Sequence, residues 1–295
     1  MTAERQHWPE LARRWAQTGP PLRPSPEDMQ FLARVLERQQ AQSSSADVHG
    51  LILGVTPEIY QLPWPGVEHV LAVDHTQAMI DEVWPGPASN VILGEWTSLP
   101  LESNSRDVVF CDGGLAVLAY PNDQIRLLNE LRRVLRKDGR AAFRLYAPPE
   151  RPESPAREAP AHEVPAREVP AREVPADVLT DLVDGNIASL SVLKLRLGMA
   201  MQSDTATGVR LHDMWTAIQS VAPDWEALAR YLNQSLGHAA AIDSYRDCEQ
   251  RYYFANAAEV ISLFCRDPGG FVHEETCVAS YHLAERCPTV IFSRL

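Results

Sequence analysis

The chain has 295 residues, 45% of them hydrophobic and 22% charged, as expected of a globular protein with a sizeable core. Its formal net charge of −12 argues against a partner bound mainly through phosphate groups, because such binding needs clustered Lys and Arg. The basic run at residues 132–137 has the apolar spacing of a solvated helix face. We therefore expect no nucleic-acid partner.

The five cysteines include no C-x-x-C pair, and the histidines show no metal-ligand spacing, so neither a disulfide framework nor a metal site is predicted. Residues 1–20 carry several charges and no apolar segment of the kind found in signal peptides. No apolar run is long enough to span a bilayer. These features predict a cytoplasmic protein without a membrane partner, and they leave its oligomeric state open.

Residues 1–40 predict two helical pieces separated by a proline-rich break at residues 20–26. Trp8, Leu11, Ala12 and Trp15 give the first piece one apolar face. Ser25 is placed to cap the second, which we expect to run through residue 35. A polar stretch at residues 39–45 then leads into the core.

Strands and helices alternate from residue 48 to residue 146, which is typical of a parallel sheet covered on both faces. The strands are predicted at residues 50–53, 70–74, 91–94, 107–112 and 140–146. The helices between them are predicted to start at residue 57 and to span residues 77–84 and 122–136. Apolar residues at 125, 128, 131 and 135 form one stripe on the last of these helices.

Two segments within this alternation point to a nucleoside ligand. LILGVTPE (residues 51–58) and VLAVD (residues 70–74) are buried-strand runs that end in polar residues. Gly54 and Asp74 lie twenty residues apart, which matches the spacing between a ligand-binding first loop and an acidic residue that contacts ribose hydroxyls. Alternatively, Asp74 is an N-cap for the helix that follows.

Four consecutive proline-ended pentamers, AREAP, AHEVP, AREVP and AREVP, occupy residues 156–175. Proline at every fifth position forbids a regular helix and favours extended, solvated chain. The tract is interpreted as a tandem duplication tolerated in a surface loop, or alternatively as a spacer or docking tract.

The rest of the chain predicts helices at residues 177–200, 211–232 and 257–264, and then a strand pair at residues 271–283 and 288–293. The predicted domains are an N-terminal helical segment (1–45), a core (46–150 and 251–295), a low-complexity linker (151–176) and a helical insertion (177–250). The fold class is α/β, a Rossmann-like doubly wound sheet, mostly parallel with an antiparallel last strand.

Four blocks of this sequence resemble the class I S-adenosylmethionine-dependent methyltransferases. They are the loop after the first strand, AVD at residues 72–74 with Met79 following, GEW at residues 94–96 with Leu99 and Pro100, and LRRVLRKDG at residues 131–139. The resemblance covers residues 48–146 and 254–295. It implies a methyltransferase with S-adenosylmethionine as cofactor, and an insertion that forms a lid over a small-molecule acceptor.

The resemblance also implies site residues. Asp74 would bind the ribose, while Glu95 and Trp96 would bind and pack on the adenine. Asp112 and Gly113 end the fourth strand, where methyl donor and acceptor should meet. The full set of predicted cofactor-binding residues is Gly54, Val55, Thr56, Pro57, Glu58, Asp74, His75, Met79, Glu95, Trp96, Asp112 and Gly113.

The first loop departs from the family pattern, acidic-x-Gly-x-Gly-x-Gly, because those places hold Ile52, Gly54, Thr56 and Glu58. Thr56 and Pro57 nonetheless form a coherent helix start, whose free amides favour an anionic group. A bacterial methyltransferase-like subgroup looks similar in this G-V-T-P-E loop. The departure keeps open an alternative function, that of a non-catalytic or regulatory protein that binds S-adenosylmethionine or S-adenosylhomocysteine.

Methyl transfer requires mainly positioning, and a base only where the acceptor must lose a proton. The predicted catalytic residues are Tyr120 and His238. Further candidates are His75, His212, Tyr252 and Tyr253, although a single histidine is more commonly a packed or surface residue.

Overall fold

A computed structural model of the chain describes residues 7–42, 47–149, 173–266 and 270–295. Within these residues the α-helices are α1 (His7–Arg13), α2 (Pro26–Gln42), α3 (Pro57–Tyr60), α4 (Gln77–Val83), α5 (Asn122–Val134), α6 (Pro175–Val183), α7 (Leu190–Met201), α8 (Leu211–Gln219), α9 (Trp225–Leu232), α10 (Leu236–Ala239) and α11 (Ala257–Cys265). The strands are β1 (Gly50–Leu53), β2 (Leu71–Asp74), β3 (Val91–Leu93), β4 (Arg106–Asp112), β5 (Leu135–Arg144), β6 (Val209–Arg210), β7 (Arg251–Tyr252), β8 (Phe271–Cys277) and β9 (Thr289–Arg294).

Seven of these strands form one twisted sheet in the order β3-β2-β1-β4-β5-β9-β8. Strands β1 to β5 pair in parallel, and β9 runs antiparallel to both β5 and β8. The order reverses between β1 and β4, which is where doubly wound sheets open a crevice at the carboxyl ends of their strands. The predicted fold class, including the antiparallel last strand, is confirmed.

Helices cover both faces of the sheet because the central strands are buried on both sides. Consecutive residues of β1, Leu51 and Ile52, point to opposite faces of the sheet and belong to two different apolar clusters. The first cluster joins the sheet to α5 and α11, and the second joins it to α2 and α3. This arrangement explains why the strand sequences are continuously apolar rather than alternating.

The inserted helices α6 to α10 have an apolar core of their own, which includes Leu193, Met214 and Leu228. Two predicted long helices are each divided in the structure. Gly185, in the left-handed region, follows α6 before Ser189 caps α7, and Asp224 caps α9 after Pro223 ends the preceding turn. The predictions of single helices at residues 177–200 and 211–232 are therefore wrong.

Several predicted boundaries also differ from the structure. Helix α2 continues to Gln42, beyond residue 35, because Leu36 and Gln39 are buried against the rest of the protein. Strand β5 starts at Leu135 rather than at residue 140, and α5 ends accordingly at Val134. The first strand of the final pair ends at Cys277 rather than at residue 283.

The pentamer repeats fall outside the described residues except for residues 173–175. Helix α6 begins at Pro175, two residues before its predicted start, because proline is favoured in the first helical turn. Glu173 accepts a hydrogen bond from Arg196 at 2.8 Å and pairs with Arg286 at 2.9 Å. The last pentamer therefore ends in residues that contact the folded protein.

Candidate functional site

A cavity of about 240 Å³ opens at the carboxyl ends of β1, β2 and β4. Gly54, Asp74 and Asp112 line its floor, and residues of α1, α7, α10 and the 3-10 helix Ala240–Tyr245 line its walls. We call it the main cavity. Of the predicted cofactor-binding residues, it brings together Gly54, Val55, Thr56, Asp74, His75, Met79, Trp96, Asp112 and Gly113.

The first loop turns at Gly54, whose φ of +97° favours glycine over other residues. A β-carbon at this position would lie 3.9 Å from Asp74 Oδ2 and 3.7 Å from the Trp96 ring. Gly54 thus keeps its backbone close to the carboxylate without a side chain between them. A bound ligand could approach the backbone here for the same reason.

Asp74 is 6% exposed and has two differently used oxygens. Oδ1 accepts a hydrogen bond of 2.8 Å from the backbone N–H of Thr76, while Oδ2 has no protein donor among the described residues. Burial raises the pKa of the Asp74 carboxyl, and the Thr76 hydrogen bond opposes that rise. One oxygen therefore organises the turn before α4, and the other is available to a ligand hydroxyl.

Trp96 separates the main cavity from a second cavity, which Glu95 also lines. Its indole N–H donates to the backbone oxygen of Val73 at 2.7 Å, and its ring lies beside Gly54 and Gly114. Trp96 is only 9% exposed, whereas Glu95 is exposed. The second cavity is thus the place where Glu95 could meet an adenine, with Trp96 as its inner wall.

Pro57 and Glu58 do not line either cavity. Helix α3 is a single turn, and the side chain of Thr56 makes no capping hydrogen bond. Glu58 instead forms an ion pair with Arg23, whose Nε donates to Glu58 Oε1 at 2.8 Å. Glu58 therefore holds the proline-rich N-terminal segment next to the first loop.

Asp112 lies at the end of β4 in a buried charge network. Its Oδ1 accepts from Arg144 Nη1 at 2.6 Å, and Arg144 also lies 3.4 Å from Asp28 of α2. Arg144 further donates to the backbone oxygens of Pro21 and Arg23. The network ties β4, β5 and the N-terminal segment together beneath the main cavity.

Gly113 follows Asp112 with a φ of +65°. A β-carbon there would lie 2.5 Å from the ring of Tyr146, a distance too short for any other residue. The hydroxyl of Tyr146 donates to the backbone oxygen of Leu22 at 2.7 Å. The loop after β4 is consequently in direct contact with Tyr146, which packs against the apolar core of the inserted helices.

The upper part of the main cavity is aromatic. His7 of α1 bonds through Nδ1 to Ser244 Oγ at 3.0 Å and through Nε2 to the Tyr252 hydroxyl at 3.2 Å. Burial lowers the pKa of His7 to about 3, so the ring is neutral near pH 7. Tyr245 packs on the same ring at a centroid distance of 5.0 Å.

Lys194 of α7 lines this upper part and is 8% exposed. Its ammonium lies 4.5 Å from the centroid of the Tyr245 ring. Burial, followed by the positive charge of Arg14, lowers the pKa of Lys194 to about 8. A lysine of this kind is a common feature of ligand sites and was not singled out from the sequence.

The two predicted catalytic residues are placed differently. His238 lines the main cavity, where its Nδ1 lies 2.7 Å from Ser235 Oγ. Tyr120 lines neither cavity, and burial raises the pKa of its hydroxyl. Among the other candidates, His75 and Tyr252 line both cavities and Tyr253 lines the second, whereas His212 stacks on Trp215 away from both.

His7, Lys194 and Tyr245 line the main cavity but were not predicted from the sequence. Lys194 carried a usable signal, because it is one of only two lysines in the chain and lies between Leu193 and Leu195 in a largely apolar helix. His7 and Tyr245 carried no local signal, since the chain brings them together over a separation of more than two hundred residues.

The described part of the chain offers neither a metal cluster nor a membrane-spanning helix. No group of three or more His, Cys, Asp and Glu side chains there could hold a metal ion. Within the same residues, no helix combines the length and apolar character needed to cross a membrane.

Residues 52–143, from β1 to β5, match the family described as "Methyltransferase domain". No curated protein matches the chain.

Solved structures resemble the chain over most of its length. A Rhodobacter sphaeroides protein described as a Zn-dependent alcohol dehydrogenase has 12% identity and a TM-score of 0.57, with 100% of both chains covered. The N-methyltransferase NodS of Bradyrhizobium japonicum, solved with S-adenosyl-L-homocysteine, has 12% identity and a TM-score of 0.45, with 98% of both chains covered. A methyltransferase of Methanosarcina mazei has 12% identity and a TM-score of 0.45, with 93% of this chain and 99% of that chain covered.

At 12% identity the structural comparisons support the fold alone. The methyltransferase chemistry is supported by the family match over residues 52–143. That match covers the strands whose ends carry Gly54, Asp74 and Asp112. The free Asp74 oxygen and the open Gly54 backbone fit a nucleoside cofactor at this place. Residues 52–143 therefore match a methyltransferase domain, the protein is a methyltransferase, and its cofactor is S-adenosylmethionine.

Proposed function

We propose that the chain methylates a small molecule, which binds in the upper part of the main cavity. The observation that carries this proposal is the cavity itself. This cavity of about 240 Å³ extends from the ends of β1, β2 and β4 into an upper chamber walled by α1, α7 and the 3-10 helix Ala240–Tyr245. A chamber of this kind accepts a small organic molecule rather than a folded protein.

The proposed cofactor residues lie along the floor of this cavity. Asp74 Oδ2 would accept from a ribose hydroxyl, and Gly54 and Gly113 let backbone approach the bound cofactor. Glu95 in the second cavity is proposed to bind the adenine, with Trp96 at its edge. The bound cofactor supplies the methyl group. The protein supplies position and a chamber from which water is largely excluded.

His238 and Tyr252 are proposed as the polar groups nearest the acceptor, because both line the upper chamber. Tyr120 is not part of this proposal, since its side chain lies outside both cavities. We propose that the inserted helices α6 to α10 form a lid over the acceptor and that the N-terminal helical segment, residues 1–45, forms the other part of this lid. Residues 151–176 are proposed as the linker that precedes the inserted helices. We also propose membership of the G-V-T-P-E loop subgroup and a role in cytoplasmic small-molecule metabolism.

The experiment that tests this function uses S-adenosylmethionine labelled in its methyl group and an extract of the source organism's cells. The extract is divided by ultrafiltration into a small-molecule filtrate and a macromolecular retentate, and each is incubated with the protein. We expect protein-dependent label in the filtrate. Label that appears only in retained protein or nucleic acid would contradict the small-molecule acceptor.

The matched variants are Asp74→Asn and Glu82→Gln. The asparagine of the first variant would keep an Oδ1 acceptor for the Thr76 N–H and lose the charge that faces the cavity. Glu82 is exposed on α4 and lines neither cavity. Transfer should fall with the first variant and persist with the second. Equal transfer by all three proteins would show that the label moves independently of this site.

A further inference from the structure

Lys194 is a buried charge for which the described residues provide no carboxylate. Only 8% of Lys194 is exposed, and its ammonium lies over the face of Tyr245, 4.5 Å from the ring centroid. Among the described residues, the charged side chain that perturbs the pKa of Lys194 is Arg14, which is also positive. A lysine this deeply buried normally pairs with an anion.

Helices α1 and α10 contribute charged and titratable groups to the same chamber. Helix α1 contributes His7, Glu10 and Arg14, and α10 contributes His238. His7 is neutral and engaged with Ser244 and Tyr252. Glu10 forms no ion pair with Lys194, and Arg14 donates to the backbone oxygen of Gly237 at 3.0 Å. The described charges at this end of the cavity are therefore predominantly positive.

The floor of the cavity has the opposite character. Asp74 faces the part of the cavity proposed for the cofactor. The charge of Asp112 is compensated by Arg144, whose Nη1 lies 2.6 Å from Asp112 Oδ1. An anionic molecule would be repelled by Asp74 and attracted by Lys194 and Arg14, so the two ends of the cavity distinguish cofactor from acceptor. Between them the walls are the rings of Trp8, Tyr245 and Tyr252.

We propose that the acceptor is a small organic acid, whose anionic oxygen group pairs with the Lys194 ammonium while its apolar part packs against the aromatic wall. Arg14 adds a second positive charge at the mouth of this subsite. This inference rests on the proposed function, because it concerns the acceptor of the same methyl-transfer site. The oxygen group is a carboxylate, which a lysine ammonium recognises through charge-assisted hydrogen bonds.

The sequence allows a direct observation of Lys194. The chain has two lysines, Lys194 and the exposed Lys137, so protein labelled at the lysine ε-carbon gives two lysine signals in an NMR spectrum. The variant Lys137→Arg assigns them. Binding of an anion beside Lys194 should move its signal and raise its pKa, because the anion stabilises the charged form. The Lys137 signal is the internal reference.

The probes are matched acid and amide pairs added to protein saturated with S-adenosylhomocysteine. Benzoate, phenylacetate and indole-3-acetate are compared with benzamide, phenylacetamide and indole-3-acetamide. We expect at least one acid to move the Lys194 signal and to bind at least about tenfold tighter than its amide. Lys194→Met should abolish this preference, and Lys194→Arg should retain part of it, since the charge remains.

The outcomes separate this inference from the proposed function. Calorimetric titration of the same protein preparation, before the ligand is added, reports whether S-adenosylhomocysteine binds, and a failure there would count against the proposed function. If the cofactor product binds but no acid moves the Lys194 signal, the inference is overturned. It is also overturned if amides move that signal as strongly as acids, or if Lys194→Met keeps the preference for acids.

Discussion

Replacing Lys194 with methionine should stabilise the folded protein near neutral pH. Burial lowers the pKa of Lys194 from 10.5 to about 8, so the folded state resists a charge that the unfolded state carries freely. At 1.36 kcal/mol per pKa unit, this costs about 3 kcal/mol at pH 7. Methionine fills a similar volume without a charge, and the lost contact with Tyr245 offsets about 1 kcal/mol at most.

The gain should depend on pH in a defined direction. The folded-state pKa is lower than the unfolded one, so the cost is fully present below pH 8 and is relieved as the pH rises towards 10.5. Urea unfolding of both proteins should therefore show a difference of about 2–3 kcal/mol at pH 7 that shrinks to below about 1 kcal/mol at pH 10. A variant less stable than the wild type at pH 7, or a difference unchanged with pH, would refute the reasoning.

Two further stability predictions concern the other buried groups of the site. The pKa of His7 is lowered to about 3 in the folded state, so the unfolded chain gains a proton at this residue first as the pH falls. The free energy of unfolding of the wild type should therefore fall by about 3 kcal/mol between pH 7 and pH 4. His7→Gln should remove this part of the pH dependence. Parallel urea-unfolding profiles for the two proteins would contradict this. Arg144→Met should cost about 3–5 kcal/mol, since it leaves Asp112 and Asp28 buried without their cation. The exposed Arg126→Met should cost less than about 1 kcal/mol in the same assay, and equal losses would show that the buried network is not what stabilises the fold.

The sheet could be predicted from local sequence because each central strand is a short apolar run between turn signals. The predicted bounds of β1 match the structure, and Asp74 and Gly54 do lie beside each other at the ends of their strands. The stripe on α5 also faces the sheet, with Leu128 and Leu131 buried. These features depend on periodicity and on chain order alone.

The inserted helices were harder to predict, since their breaks depend on single residues. Gly185 lies between α6 and α7, and Pro223 lies between α8 and α9, each within a segment whose apolar periodicity continues on both sides. The sequence alone does not show whether such a residue interrupts a helix or is tolerated in it. The extension of α2 to Gln42 is a tertiary effect, because Arg140 of β5 donates to Gln39 at 3.0 Å and to Gln42 at 2.6 Å.

The polar network of the site could not be predicted at all from local patterns. Arg144 lies within a predicted strand of ordinary appearance, yet it pairs with Asp112 and also with Asp28, which is more than a hundred residues away in the chain. Glu58 was assigned to the cofactor from its place in the first loop, and in the structure it holds Arg23 instead. Side chains that meet over such separations are specified by packing, which the linear spacing does not contain.

The measurement that tests the central claim most directly is calorimetric titration with S-adenosylhomocysteine of the wild type, Asp74→Asn and Glu82→Gln. The loss of one charge-assisted hydrogen bond should weaken binding by about 1.5–3 kcal/mol, which is roughly tenfold to a hundredfold in Kd. We predict that the wild type and Glu82→Gln bind equally and that Asp74→Asn binds more weakly by this factor while unfolding at a similar temperature. No heat from the wild type at millimolar ligand, or the same Kd for all three proteins, would contradict a cofactor site at the ends of β1 and β2.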